Sequence, residues 1–254
     1  AFTALLVAGV LGIVGFPAGG ILIVAALAAV VWSAAYGYTL EKVAYKPLRG
    51  APRLSPLISA IGMSIFLQNY VLLAQTSDYV PFPRLLPEME FLDYLGNIMG
   101  PSDFLILVTS TLAMVSLSLF IRYTRMGKAM RATAQNRKMA LLLGINADRI
   151  ISLTFIVGSA LAALGGVLIA SHMGQVNFGI GFLAGLKAFT AAVLGGIGSI
   201  PGAMVGGLVL GIAESMTTGY LSGNYEDALA FALLILILIF RPDGILGKAK
   251  VQKV

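Results

Sequence analysis

The chain has 254 residues, of which 58% are hydrophobic and only 11% are charged. About a quarter of the residues in a soluble domain are charged, so this composition excludes an ordinary soluble fold and indicates a membrane protein. The net charge of +6 is consistent with nucleic-acid binding, lipid binding or biased membrane loops. With no cysteine and one histidine, disulfides and thiolate sites are excluded and a multi-histidine metal site is disfavoured.

Apolar segments long enough to cross a bilayer recur along the chain. A membrane helix needs roughly 20 mostly apolar residues, because lipid offers the backbone no hydrogen-bond partners. The sequence predicts spans over residues 21–38, 54–75, 104–120, 150–170 and 203–220. Shorter apolar segments lie at 183–195 and 228–240, and residues 1–16 form a further span or part of one. We therefore predict an all-α, polytopic bundle of seven or eight membrane helices, forming one domain over residues 1–254.

The positions of the basic residues predict the orientation of these spans. Lys and Arg beside helix ends are retained on the cytoplasmic side. Fifteen of the 17 basic residues fall in residues 42–53, 122–149 and 241–253, which alternation of the spans places on one side. The net charge is thus a signal of topology, and nucleic acid is not expected as a partner.

The longest connection on the predicted cytoplasmic side, residues 122–149, has an amphipathic helical pattern. On a helical wheel its basic residues gather on one arc and its small and apolar residues on another. The pattern predicts one helix over residues 126–144, ended by a glycine. Such a helix either rests on anionic lipid headgroups or binds a groove in a cytoplasmic partner. The residues singled out are Met126, Met130, Ala134, Ala140, Leu141 and Gly144.

The predicted outer side carries a loop over residues 76–102. It contains four prolines and four carboxylates, and it is long for a simple connector. Either it contacts a partner outside the cytoplasm, or it is a solvated loop with a short surface helix.

Glycine is densest over residues 185–214, where two spans meet at a short turn. Glycines repeated every four residues allow two helix backbones to approach closely in lipid. The segment is therefore expected to be a helical hairpin, either tightly packed or moving as a gate. The residues expected at its turn and contact are Gly195, Gly196, Gly198, Pro201, Gly202 and Gly206.

Lys187 and Glu214 are the ionisable residues expected inside the hydrocarbon region, where an unpaired charge is expensive. They lie 12 and 15 residues from Ser199 in the turn, so their depths differ by about one helical turn. We expect them to pair across the hairpin. The pair either fastens the hairpin or lies along a polar pathway.

Four stretches resemble the permease subunits of bacterial high-affinity branched-chain amino-acid ABC importers, of the LivH type. They are ISAIGMSIFLQN at 58–69, RMGKAMRATAQNRKMALLLGIN at 125–146, KAFTAAVLGGIGSIPGAMVGGLVLGIAE at 187–214 and RPDGILG at 241–247. The resemblance covers essentially the whole chain and is most specific over residues 187–214. Members of that family carry additional N-terminal helices, with an NFAHG-like stretch, that this sequence lacks.

The resemblance implies a multi-pass permease of the bacterial inner membrane that transports leucine, isoleucine or valine by alternating access. It implies a second permease subunit of the LivM type, two cytoplasmic ATPase subunits, a periplasmic amino-acid-binding protein and surrounding lipid as partners. ATP and Mg²⁺ then belong to the ATPase subunits, and no cofactor or catalytic residue is expected in this chain. The 122–149 connection becomes the coupling loop that docks on the ATPase, and residues 76–102 become a periplasmic loop.

Three alternatives stay open at this point. The same kind of machine could carry urea or short amides, because related permeases share these sequences. An ion-coupled secondary transporter would need more intramembrane titratable groups than Lys187 and Glu214 provide. An intramembrane enzyme would need a nucleophile or a metal set that the composition does not supply.

Overall fold

The computed structural model describes residues 1–13, 18–50, 55–83, 100–241 and 243–247. In these ranges the chain is almost entirely helical. The helices are α1 (Phe2–Ile13), α2 (Ala18–Leu40), α3 (Ser55–Ala74), α4 (Pro101–Tyr123), α5 (Arg125–Gln135), α6 (Arg137–Leu142), α7 (Ala147–Met173), α8 (Ile180–Gly195), α9 (Ile200–Tyr220) and α10 (Glu226–Phe240). Two short strands, β1 (Val80–Pro81) and β2 (Gln175–Val176), pair antiparallel.

Three shorter turns complete the described secondary structure. A π-helical turn, Glu41–Tyr45, continues α2, and 3₁₀ turns lie at Pro47–Gly50 and Gly223–Tyr225. Within the described ranges, five helices are long and apolar enough to cross a membrane: α2 with its π-helical turn, α4, α7, α9, and α10 with the turn before it. Helices α1 and α8 are apolar but shorter, as is the apolar part of α3, Ile58–Ala74. The predicted all-α, polytopic membrane fold is confirmed.

The chain divides into two compact units, Ala1–Gly179 and Ile180–Val254. The core of the first unit is the contact between α2 and α7. One residue in every four along α2 lies in this contact, and together we call these residues the α2 stripe: Ile21, Ala25, Ala29, Ser33, Gly37 and Glu41. The apolar part of the stripe belongs to one buried cluster that includes Ala163, Val167 and Ala170 of α7 and also Ala4 and Ala8 of α1.

Helices α2 and α7 approach most closely at Gly37. A β-carbon at this position would lie 2.1 Å from Ser159 Oγ and 2.7 Å from Ser159 Cβ. One turn earlier, Ser33 Oγ donates a hydrogen bond to the carbonyl oxygen of Ser159 at 2.9 Å. Since lipid is as apolar as the side chains, such helices associate through close packing and hydrogen bonds rather than through the hydrophobic effect.

Helix α7 connects the two ends of the first unit. Asn146 caps its start, because the Asn146 side chain accepts a hydrogen bond from Arg149 N at 3.1 Å. Gly174, with φ of +68°, ends it, and the Gly174 carbonyl accepts a hydrogen bond from Phe82 N beside β1. At about 1.5 Å per residue, its 27 residues span roughly 40 Å. The α5–α6 segment therefore adjoins one end of α7 and the β1–β2 pair the other.

The first prediction concerns the α2–α7 contact. We expect Gly37→Ala to lower the free energy of unfolding by about 1–3 kcal/mol, because the added methyl group overlaps Ser159. Thermal unfolding of the purified protein in detergent measures this. The matched control is Gly158→Ala in α7, where a β-carbon meets no atom within 4 Å and stability should be unchanged or slightly raised. Equal stability of the two variants would show that the contact is not tight.

Candidate functional site

The connection predicted as one coupling helix over residues 126–144 consists of two helices, α5 and α6. Asn136 separates them in an extended conformation, with φ of −154° and ψ of +105°. The Asn136 side chain accepts hydrogen bonds from Lys138 N at 3.0 Å and Met139 N at 3.2 Å, so it caps the start of α6. The prediction of a single helix is wrong, because asparagine favours a helix N-cap over a helix interior. The expected stop near Gly144 is present, and Gly144 has φ of +78°.

The break at Asn136 also accounts for Arg137, which interrupts the apolar arc of the helical wheel. Arg137 Nη2 lies 3.1 Å from Asp148 Oδ1, in the first turn of α7. Both side chains are about half exposed. The pair links α6 to the start of α7.

The structure divides the six predicted coupling residues by exposure. Ala140 is 1% exposed, so it packs inside this chain and has no surface to offer a partner. Met130 is half-buried. The residues that are exposed are Met126, Ala134, Leu141 and Gly144.

Three further apolar residues of this segment are exposed and were not predicted as coupling residues. Met139, Leu142 and Leu143 are 56%, 81% and 76% exposed. With Leu141, at 52%, they form what we call the α6 patch. The run MALLL at 139–143 was visible in the sequence, but a single helix would have placed these residues around its whole circumference. Because the helix breaks at Asn136 and α6 is short, the α6 patch lies on a separate short helix and not on one of the long apolar helices.

The glycine-rich hairpin of the second unit is formed by α8 and α9. A β-carbon at Gly195 would lie 1.9 Å from the Gly202 carbonyl oxygen, and one at Gly206 would lie 2.1 Å from that of Ala191. Two backbones in such contact leave no room for any side chain. Pro201 lies in the first turn of α9, and Ser199 caps that helix by accepting from Gly202 N at 3.1 Å.

The turn of this hairpin also binds the segment that follows α10. Gly196 and Gly198 have φ of +108° and +96°, which favour glycine. Ile245 N donates to the Leu194 carbonyl at 2.9 Å, and Leu246 N donates to the Gly195 carbonyl at 3.0 Å. The end of α8 is thereby held by α9 on one side and by residues 243–247 on the other.

Lys187 and Glu214 face each other across the hairpin, with Lys187 Nζ 3.3 Å from Glu214 Oε1. Two further carboxylates, from the start of α10, join them. Glu226 is hydrogen-bonded to Lys187, and Asp227 Oδ1 lies 3.3 Å from Lys187 Nζ. Both begin α10, where negative charge is favoured by the helix dipole. One lysine thus binds carboxylates from two helices besides its own.

Glu41 is a functional candidate that the sequence analysis missed. The predicted span ended at residue 38 and no role was predicted for Glu41, but the π-helical turn extends α2 and buries its side chain completely. Ser152 Oγ of α7 donates a hydrogen bond to Glu41 Oε2 at 2.7 Å. The sequence did contain one sign of this, because Glu41 follows Gly37 by four residues and so lies on the same face of a continued helix.

Comparison with known proteins identifies the family. Residues 1–238 match the model of the family described as branched-chain amino acid transport system / permease component. The chain belongs to this family.

Two relatives of this permease match over its full length. It is 50% identical to the high-affinity branched-chain amino acid transport system permease protein LivH of Escherichia coli K12 and 51% identical to its counterpart BraD of Pseudomonas aeruginosa. Each alignment covers all of this chain and 83% of the relative. No solved structure matches. The resemblance seen in the sequence is confirmed, as is a multi-pass location in the inner membrane.

The second prediction concerns the charge cluster of this permease. We expect Lys187→Met to destabilise more than Glu214→Gln, because it leaves three carboxylates together, whereas Glu214→Gln leaves Lys187 two partners. The loss should be roughly 2 kcal/mol, below the 3–5 kcal/mol of a fully buried pair because the cluster is partly exposed. Thermal unfolding in detergent measures it.

A control and a double variant complete this test. Lys128→Met, at an exposed position of α5, should change stability by about 0.5 kcal/mol or less. The double variant of Lys187→Met and Glu214→Gln should lose less stability than the sum of the single losses. Additive losses, or equal losses for the two single variants, would contradict the cluster.

Proposed function

We propose that this permease is the membrane subunit of an ATP-driven importer of branched-chain amino acids, in which ATP hydrolysis in partner subunits acts through α5 and α6. The residues that receive the partner are Met126, Ala134 and Gly144 together with the α6 patch. Ala140 supports α6 from inside the chain. The permease itself carries out no covalent chemistry.

The exposure of the α6 patch is the observation that carries this proposal. Four large apolar side chains lie on a short surface helix and the residue after it, at the end of α7 that the charge distribution predicts to be cytoplasmic. Lipid-facing side chains on the long helices are expected to be exposed, but an apolar patch on a short surface helix marks a contact with a partner protein or with the membrane surface, and we propose the first. We expect the α6 patch to bind in an apolar groove on a cytoplasmic ATPase subunit.

The remaining partners follow from the family. The chain is a component of a transport system, and we infer a second, LivM-like permease subunit, two ATPase subunits and a periplasmic amino-acid-binding protein. ATP and Mg²⁺ are assigned to the ATPase subunits, since this sequence has no GxxxxGK[ST] loop. Branched-chain amino acids are preferred over urea or short amides because relatives named for branched-chain amino acids match the whole chain at about half identity.

The third prediction tests docking through the α6 patch. We expect Leu142→Gln to weaken binding of the ATPase subunit roughly tenfold or more, because burying a leucine contributes about 1.5–3 kcal/mol. Since Leu142 is 81% exposed, the variant should fold normally. The measurement is the affinity of the purified permease for the ATPase subunit, together with substrate-stimulated ATP hydrolysis in the reconstituted complex.

The matched control for docking is Leu73→Gln. Leu73 is 86% exposed at the end of α3 that leads toward β1, so the chemical change and exposure are the same at a different place. Its effect on ATPase affinity should be less than twofold. Equal affinity of the Leu142 and Leu73 variants would contradict docking through the patch.

A further inference from the structure

Glu41 is the one charged side chain that is fully buried within the described part of the chain. Removing a carboxylate from water costs several kcal/mol unless hydrogen bonds and charges compensate. It lies in a π-helical turn, an irregularity that occurs often at functional sites. A leucine or alanine would fill the same place on α2 without that cost, so a fully buried carboxylate here requires an explanation.

The contacts of Glu41 link the end of α2 to the start of α7. Ser152, which donates to Glu41 at 2.7 Å, lies in the second turn of α7. One turn earlier on the same helix, Asp148 binds Arg137 of α6 at 3.1 Å. Ser152 Oγ is also 3.1 Å from the Asp148 carbonyl oxygen. The first two turns of α7 are therefore in polar contact with both α6 and the end of α2.

A cavity of about 490 Å³ adjoins this junction. Its lining includes Glu41 and Ser152, the basic residues Lys42 and Arg149, and Met126 from the first turn of α5. The first turn of α5 thus faces the same space as the Glu41–Ser152 hydrogen bond. Open space therefore adjoins both the first turn of α5 and the contact between α2 and α7.

We propose that Glu41 is a positioning residue for energy coupling, holding the end of α2 to the first turns of α7 through Ser152. A displacement of α5 and α6 that reaches α7 through Arg137 and Asp148 is then passed to α2, and the two helices move together. Without the Glu41–Ser152 contact, α7 moves and the end of α2 lags behind. This inference rests on the proposed function, because it assumes that ATP hydrolysis acts on α5 and α6.

The fourth prediction is that Ser152→Ala lowers the number of leucine molecules transported per ATP hydrolysed at least fivefold. The complete complex in proteoliposomes is used, and leucine uptake and phosphate release are measured on the same sample. A variant that only assembles poorly lowers both quantities together and leaves their ratio unchanged. Ser152→Thr keeps the hydroxyl group and should retain at least half of the wild-type ratio.

Two controls separate coupling from general packing. Thr154→Ala removes a hydroxyl group two residues further along α7 that donates within its own helix, to the Ile150 carbonyl. Ser33→Ala removes a hydrogen bond between the same two helices, eight residues before Glu41 on α2. Both should keep the wild-type ratio within twofold. A fall for Ser33→Ala as large as that for Ser152→Ala would overturn the proposal, because any loosening of the two helices would then suffice.

Glu41→Ala and its combination with Ser152→Ala show whether the two residues act through one contact. The double variant should have a ratio no lower than that of the worse single variant. The proposal would be overturned if the double variant lowered the ratio by the product of the two single effects. It would also be overturned if Ser152→Ala left the ratio unchanged. If Glu41→Ala does not assemble, the Ser152→Ala and Ser152→Thr pair decides alone.

The wild-type complex distinguishes this inference from the proposed function. If the wild type takes up leucine in an ATP-dependent manner and Ser152→Ala does so at the same ratio, only the inference fails. If the wild type shows no ATP-dependent uptake, the proposed function fails, and the inference fails with it.

Discussion

The close approach of α2 to α7 is the contact on which the first unit depends. In lipid, moving an apolar side chain from the lipid into a helix contact gains little free energy, because both surroundings are apolar. Two helices must instead fit closely and form hydrogen bonds with each other. The α2 stripe provides this close fit through six residues spaced four apart, with small residues where the two backbones are nearest. Gly37 sets the spacing, and Ser33 and Glu41 add hydrogen bonds to α7 on either side of it.

This contact determines what α5 and α6 can act upon. Helix α7 runs the length of the first unit, with the α5–α6 segment at its start and β2 just after its end. Since α2 is packed along α7, a force on the start of α7 acts on a pair of helices rather than on one. In the coupling that we propose, the force from α5 and α6 enters near the buried carboxylate at the end of the stripe. Glu41 and the close packing of the stripe therefore belong to the same contact between α2 and α7.

Much of the fold could be predicted, because lipid leaves a chain few options. The limits of α4 and α9 differ from the predicted spans by only a few residues, since backbone hydrogen bonding requires helices wherever apolar residues continue. The juxtaposition of Lys187 and Glu214 followed from their similar depths on the two sides of a short turn. Glu226 and Asp227 were missed because a count of spans does not show that the first turn of α10 reaches Lys187.

Local chemistry explains the other failures. A helical wheel assigns every residue an angle but does not detect that an asparagine side chain can satisfy the backbone of the next helix, so the break at Asn136 was missed. Glu41 was missed because the predicted span ended at residue 38, whereas a π-helical turn continues α2 as far as Tyr45. Residues 14–17, 51–54 and 84–99 lie outside the described part of the chain, so most of the predicted periplasmic loop at 76–102 stays a prediction.

Leucine accumulation in proteoliposomes that contain the complete complex and its binding protein tests the central claim most directly. The account predicts accumulation that requires ATP on the ATPase side, is unaffected when proton and sodium gradients are abolished, and is reduced by excess isoleucine or valine but not by urea or acetamide. Accumulation driven by an ion gradient without ATP would contradict it, as would loss of leucine uptake in excess urea.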